Sequence, residues 1–345
     1  MTPDSPTTTS TTPDTQPDTR KVAVITGASS GIGYATAIAF ADKGYNLVLA
    51  ARREQLLKQV AEQCEQYGVK AVAVMADVSE EEDVQQIADV ARTTFGRFDV
   101  WVNNAAVALY AKFDEAPMDE YRQVLETNLF GYIYGSQVAI KQFKLQNTGT
   151  LINIDSVNAE APQPYSSAYN ISKYGVRGLS HSIRMELELD GLSDNIAVCN
   201  VMPASIDTNF FQNAANYTGR KLRALEPVYD PTYVAQHIVK LVDEPQRDII
   251  VGPAGKLMAT QHRATPYLYE RLMSRFVDRN HLSQEPTPET QGNLYEPLHA
   301  NTGMRGGWRE TRRADKLNAA LGLTGAGLVT LAGLSYWYVK RKRSY

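Results

Sequence analysis

Between Lys21 and Gly44 the chain reads KVAVIT, then GASSGIG, then a helical pattern that includes TAIAFADKG. The β-branched run KVAVIT suits a strand buried on both faces. Gly27, Gly31 and Gly33 follow at once, and the helix begins behind them. A strand, a glycine-rich turn and a helix N-terminus in this order leave free backbone N–H groups and the positive end of the helix dipole aimed at one spot, which is an anion site. Glycine lets a ligand approach the backbone there without a Cβ in the way. A glycine cluster alone says little; one set between a good strand and a good helix limits the fold sharply.

The same alternation continues down the chain. YNLVLA (45–50) is a second strand, a helix over 53–67 follows, and AVAVMA (71–76) is a third strand. A helix over 80–95 with Ser79 as its N-cap comes next. FDVWVNNAA then supplies strand four, a long helical pattern runs from Met118 to about Gln146, and TLINIDS supplies strand five. A helix to about Leu189, the strand NIAVCNVM ending at Pro203, a helix over 231–243 and the strand DIIVG complete the series. Such alternation predicts one α/β domain built on a doubly wound parallel sheet, flanked by helices and joined by right-handed crossovers.

Ligands of such sheets bind at the C-terminal ends of the strands, so the residues there carry the functional reading. Strand two ends in Ala51, Arg52 and Arg53. In a dinucleotide fold an acid near this point binds a ribose 2′-hydroxyl, whereas arginine accommodates a 2′-phosphate, so NADP(H) is favoured over NAD(H). The alternative is that the two arginines merely open a solvated helix. Strand three ends at Asp77 and Val78, where a carboxylate can accept from an adenine amino group; strand four runs into Asn103 and Asn104. The stretch 204–229 contains Thr208, Phe210, Phe211 and Tyr217 without a clear period and lies where a substrate-covering loop belongs.

Tyr169 and Lys173 are four residues apart, on one face of a helix if this segment is helical. An ammonium beside a phenol favours the phenolate and brings a phenol toward general acid/base work near neutral pH. Ser156, thirteen residues upstream, follows an apolar strand that can present its hydroxyl to the same reacting atom. Taken alone, such a Tyr/Lys pair is most often a plain helix-surface pair.

A formal net charge of -3 gives no hint of a nucleic-acid surface. Cys64 and Cys199 sit in separate apolar or helical patterns, which argues for buried thiols and a reducing compartment. The five histidines show no metal-ligand spacing, and no metal site is expected.

Over roughly Lys21 to Gly255 the chain resembles the short-chain dehydrogenase/reductase family. TGASSGIG looks like its coenzyme loop, NNAA like its NNAG motif, Ser156 with YNISK like its Ser and YxxxK active site, and PASIDT (203–208) like its PGxxxT stretch. Ala106 and Ala204 stand where the family carries glycine. The resemblance implies a Rossmann-like fold with a single catalytic domain. It also implies coenzyme contacts from Gly27, Ser29, Ser30, Gly31, Ile32 and Gly33, then from Arg52, Arg53, Asp77, Val78 and Asn104, and from Tyr169, Lys173, Pro203 and Thr208. It implies an active-site set of Asn128, Ser156, Tyr169 and Lys173. In that set Ser156 holds the substrate carbonyl and Tyr169 moves the proton. Lys173 lowers the Tyr169 pKa and binds the nicotinamide ribose, while Asn128 perturbs its helix to hold a water joined to Lys173. The expected activity is NADP(H)-dependent reduction of a ketone or aldehyde, or oxidation of the matching alcohol, on a small, apolar substrate, by a homo-oligomer. The competing readings are a dinucleotide-binding sensor or scaffold without turnover, and dehydratase or isomerase chemistry on the same fold. Whether Asp155, beside Ser156, faces the site is open.

Outside the domain over 21–255, residues 1–20 are Thr, Pro, Asp and Ser, read as a disordered tail without the apolar core of a signal peptide. Residues 256–316 form an extension and linker. Within it, 267–279 places Leu268, Leu272 and Phe276 on one stripe with Arg271, Arg275 and Arg279 on another, a helix able to dock on its own domain, line a subunit interface, cover the substrate entrance or lie on lipid. Residues 282–311 read as a linker or an irregular covering segment. Residues 317–339 carry no charge and are closed by a basic tail, 340–345. A helix of that length would be about 34 Å long, enough to span a bilayer. The expectation is a transmembrane C-terminal anchor with the domain on the cytoplasmic side, a packed or interfacial helix being the alternative.

Overall fold

The computed structural model describes residues 19–310. The chain alternates β1 (Val22–Thr26), α1 (Gly31–Asp42), β2 (Asn46–Ala51), α2 (Glu54–Glu65), β3 (Ala71–Met75), α3 (Glu81–Phe95) and β4 (Val100–Asn103). A two-residue strand, β5 (Leu109–Tyr110), precedes α4 (Met118–Leu125). A π-helical turn (Glu126–Phe130) joins α4 to α5 (Gly131–Gln146), after which come β6 (Gly149–Ile154), α6 (Ser167–Leu189) and β7 (Ile196–Pro203). The short elements α7 (Phe210–Asn213), β8 (Ala215–Asn216) and β9 (Arg220–Leu222) follow. The last are α8 (Pro231–Asp243), β10 (Asp248–Val251), α9 (Pro253–Ala264), α10 (Pro266–Asn280) and β11 (Leu282–Pro286).

Seven strands form one parallel sheet in the order β10-β7-β6-β4-β1-β2-β3. The chain runs outward from β1 to β3, then returns to the other side of β1 with β4. That reversal opens a crevice above the C-terminal ends of β1 and β4. Strands β1, β2, β4 and β6 are buried along their whole length, as continuous apolar runs require when helices cover both faces. One core layer joins Phe40, Leu49 and Ile152 and the other Trp101, Phe143 and Leu151.

Two local details depart from plain helical periodicity, the first of them implied by the family resemblance. The helical pattern from Met118 to Gln146 is continuous in sequence but carries the π turn at Asn128. The Asn128 side chain accepts from the Val107 backbone N–H at 2.9 Å and donates to the Val107 carbonyl at 2.8 Å, which ties that turn to the loop after β4. Ser79 does not cap α3, whose N-cap is Glu80; instead its N–H and hydroxyl both donate to Asp77 Oδ1.

The extension past β10 docks on the sheet domain. In α10 the inward stripe is Tyr269, Met273 and Val277, with Tyr269 against Val157 and Ala161, and Phe276 is left exposed. Strand β11 pairs antiparallel with β9. Cys64 and Cys199 are free, buried thiols.

The expectation of a transmembrane anchor and a membrane location is withdrawn. Among the described residues no helix is long and apolar enough to cross a membrane. The stretch 317–339 lies outside the described residues, and its Asn318, Thr324, Thr330 and four glycines make it only moderately apolar.

Candidate active site

The glycine turn after β1 has the backbone its residue types require. Gly27 and Gly31 have φ of +65° and +56°, and a Cβ on Gly33 would lie 2.4 Å from the Gly27 carbonyl oxygen. Only glycine lets α1 pack this close to the turn. Asn104 braces it from β4: its backbone N–H donates to Thr26 Oγ1 at 2.9 Å and its side-chain amide to the Thr26 carbonyl at 2.9 Å. Arg53, at the end of β2, donates to Ser30 Oγ at 2.7 Å and to Ser29 Oγ at 3.1 Å. A guanidinium and two hydroxyls thus meet at the mouth of the turn. Ile32, Asp77, Val78, Pro203 and Thr208 line the same cleft.

Across the crevice, β6 delivers Ser156 and α6 delivers Tyr169 and Lys173, all on the wall of that cleft. The Lys173 ammonium is fully buried, donates to the Ile154 carbonyl at 2.8 Å and to Tyr132 Oη at 3.3 Å, and lies 5.6 Å from the centre of the Tyr169 ring. Burial raises the Tyr169 phenol, a hydrogen bond with Ser156 pulls it back, and Asp155 raises it again. Burial is the largest of these effects, and the Lys173 ammonium, over the Tyr169 ring, hydrogen-bonds Ile154 and Tyr132 rather than the phenol oxygen. Burial likewise lowers the Lys173 ammonium, and the Asp155 charge opposes that shift.

Asp155 faces the cleft. It is buried, and no other side chain hydrogen-bonds its carboxylate oxygens. A buried charge costs several kcal/mol even after relaxation, so desolvation drives its carboxyl upward, against the pull of Lys173, the Ser156 backbone N–H and Arg177. Asn128 reaches Ser172 Oγ at 3.3 Å as well as Val107, which sets it behind α6. Among the described residues no group of His, Cys, Asp or Glu is placed to hold a metal.

The short chain dehydrogenase family model matches residues 21–218. The chain belongs to this family. An uncharacterized oxidoreductase of Bacillus subtilis, YxnA, is 34% identical over 322 residues, covering 90% of each chain. Among solved structures, an alcohol dehydrogenase of Thermococcus sibiricus complexed with 5-hydroxy-NADP is 27% identical with a TM-score of 0.59, covering 67% of this chain and 95% of that one. A short chain dehydrogenase/reductase of Burkholderia phymatum in complex with NAD is 25% identical with a TM-score of 0.66, covering 79% and 98%. The protein is thus an oxidoreductase of the short-chain dehydrogenase type, with the nicotinamide dinucleotide fold of that family and a small-molecule substrate.

Several short-chain dehydrogenase elements of this cleft escape the sequence patterns. Tyr132 donates to the Ile154 carbonyl at 2.8 Å and so fixes the same oxygen that holds Lys173. Residues beyond the family match also reach the cleft. The Gly303 carbonyl accepts from the Gly31 N–H, and Trp308 Nε1 donates to the Thr208 carbonyl. Both strand-end arginines reach this segment: Arg52 donates to the carbonyls of Asn293, Leu294 and Tyr295 and lies 3.5 Å from Asp77, and Arg53 donates to the Leu298 carbonyl at 3.4 Å besides its bonds to Ser29 and Ser30. The stretch 282–310 is therefore a covering segment. Its glycines and prolines mark irregular backbone but say nothing of the partner it finds.

Proposed function

We propose that the protein is an NADP(H)-dependent oxidoreductase interconverting a ketone or aldehyde and its alcohol, with Tyr169 as the acid/base. One observation carries this reading: Ser156, Tyr169 and Lys173 line the same cleft as a glycine cradle whose mouth holds Arg53 with Ser29 and Ser30. The residues fit a dinucleotide, since Gly27, Ser29, Ser30 and Gly31 line the cleft at the N-terminus of α1, where backbone N–H groups and the helix dipole suit phosphates. The Arg53 guanidinium and the two serine hydroxyls suit a 2′-phosphate, which favours NADP(H) over NAD(H).

When bound, the dinucleotide supplies or takes the hydride. Ser156 donates to the substrate oxygen and orients it. Tyr169, raised by burial, holds its proton at neutral pH and releases it to the oxygen as negative charge develops there. That state of the phenol suits reduction. Lys173, held by Ile154 and Tyr132, stabilises the phenolate left behind. Phe210 stands edge-on to Tyr169 with ring centres 5.5 Å apart, and Phe211 follows it, so the substrate body meets an apolar wall.

The test is NADPH oxidation with carbonyls graded from polar sugars to ring-bearing ketones, using wild type and Tyr169→Phe. Removing the transferable proton should lower kcat by about 10²- to 10⁴-fold while NADPH binding persists. Turnover within a few-fold of wild type would rule out the role of Tyr169.

A further inference from the structure

His281 closes α10, outside the stretch matched by the family model, yet it is among the residues around the active-site cleft. It is fully buried. Tyr110 and Phe211 each meet it edge-on, with ring centres 5.0 Å away, and Phe210 links that pair of rings to Tyr169. The histidine thus stands in the aromatic end of the cleft, beyond the acid/base.

Its two nitrogens have different surroundings. Nδ1 hydrogen-bonds the Arg223 backbone carbonyl, and the backbone N–H of Arg223 donates to the His281 carbonyl in return. A carbonyl only accepts, so the proton is on Nδ1. Nε2 has no partner. Desolvation among these rings pushes the imidazole down to about 4, the Arg223 carbonyl opposing only in part, so the ring is neutral and Nε2 bears a lone pair at neutral pH. A buried acceptor without a donor is an unfilled demand that a ligand can meet.

We propose that His281 is a substrate-selecting residue: its Nε2 accepts a hydrogen bond from a hydroxyl or N–H that the substrate carries apart from its reacting carbonyl. The substrate class is then a mostly apolar, ring-bearing carbonyl compound with one such donor at its far end. A carboxylate, phosphate or ether at that position would set one acceptor against another and be rejected. A site built around a hydrogen bond discriminates more strongly than an apolar pocket does, because the analogue lacking the donor leaves the buried group unpaired. This assignment rests on the carbonyl-reductase reading of the same cleft.

The experiment compares matched pairs: 4-hydroxyacetophenone with 4-methoxyacetophenone, and 4-(4-hydroxyphenyl)-2-butanone with its methyl ether. NADPH-linked kcat/KM is measured for wild type, His281→Phe and His281→Asn. Phenylalanine keeps an aromatic ring without the acceptor. Asparagine keeps a donor for the Arg223 carbonyl and shortens the side chain away from the Nε2 position, which separates the selecting role from the tie to β9. Wild type should prefer at least one hydroxyl member about tenfold, chiefly through KM, and both variants should bring that ratio to within about threefold of one. Equal use of both members by wild type, or a preference that survives in both variants, overturns the proposal. Thermal shifts with the same compounds and NADPH are read in parallel. If no compound turns over, the reductase reading fails, while a shift for the hydroxyl member that wild type shows and His281→Phe lacks still supports the subsite. Equal shifts in the two proteins overturn it.

Discussion

The carbonyl of Gly303 accepts a hydrogen bond from the backbone N–H of Gly31 at 3.1 Å, although 272 positions of sequence separate the two. Gly31 opens α1, so the C-terminal segment occupies one of the amides that an anion at this helix end would use. Trp308 pins the segment by its indole N–H on the Thr208 carbonyl and its ring 6.2 Å from that of Phe211.

Trp308→Ala removes that hydrogen bond and that ring contact, each worth about 1 kcal/mol. With the segment loosened, the Gly31 amide is available more of the time, and NADPH should bind about three- to tenfold more tightly. Fluorescence titration of NADPH reads this directly. Weaker binding would mean that the segment belongs to the coenzyme site rather than competing for it.

Arg53 and Arg52 should behave differently on substitution, despite being neighbours. Arg53→Ala removes the guanidinium from Ser29 and Ser30, and the ratio of kcat/KM for NADPH over NADH should fall about tenfold or more, a charged hydrogen bond being worth about 1.5–3 kcal/mol. Arg52 is turned toward the carbonyls of Leu294 and Tyr295, so Arg52→Ala should change that ratio less and lower the melting temperature instead. Equal effects of the two substitutions on the coenzyme ratio would contradict this division.

Asp155→Asn should change how stability depends on pH. The native carboxyl is raised by burial, so the folded state keeps a proton that the unfolded chain releases above pH of about 4. The stability linked to Asp155 is present in acid and is lost as pH rises through the native value. Asparagine cannot ionise and escapes that loss. The melting temperature of the variant minus that of wild type should therefore grow from pH 5 to pH 8. A difference that stays flat or shrinks would show that Asp155 is ionised throughout.

The parts of the site that can be read along the chain are those set by short-range geometry. Gly27, Gly31 and Gly33 are legible because a strand, a turn and a helix start follow one another within a few residues. Tyr169 and Lys173 are legible because one helical turn separates them. Asn128 illustrates the limit. Its π turn is tied to Val107 by two hydrogen bonds, and the apolar period of the surrounding helix runs on past it without a mark, so only the family resemblance points to it. Ser79 has the residue type of a cap, but the Asp77 carboxylate two residues away competes successfully for its hydroxyl.

Local patterning by itself determined the alternation of the main strands and helices, the parallel sheet and the placing of ligands at the strands' C-terminal ends, because periodicity and glycine chemistry act over a few residues. Tertiary structure alone decided that Arg52 serves the C-terminal segment while Arg53 holds Ser29 and Ser30 and also reaches the Leu298 carbonyl. It also decided that Asp155 is buried with no side-chain hydrogen bond and that His281 reaches the aromatic end of the cleft. Each of those outcomes depends on which distant backbone carbonyl or ring arrives beside a polar group, and on how completely that contact removes it from water.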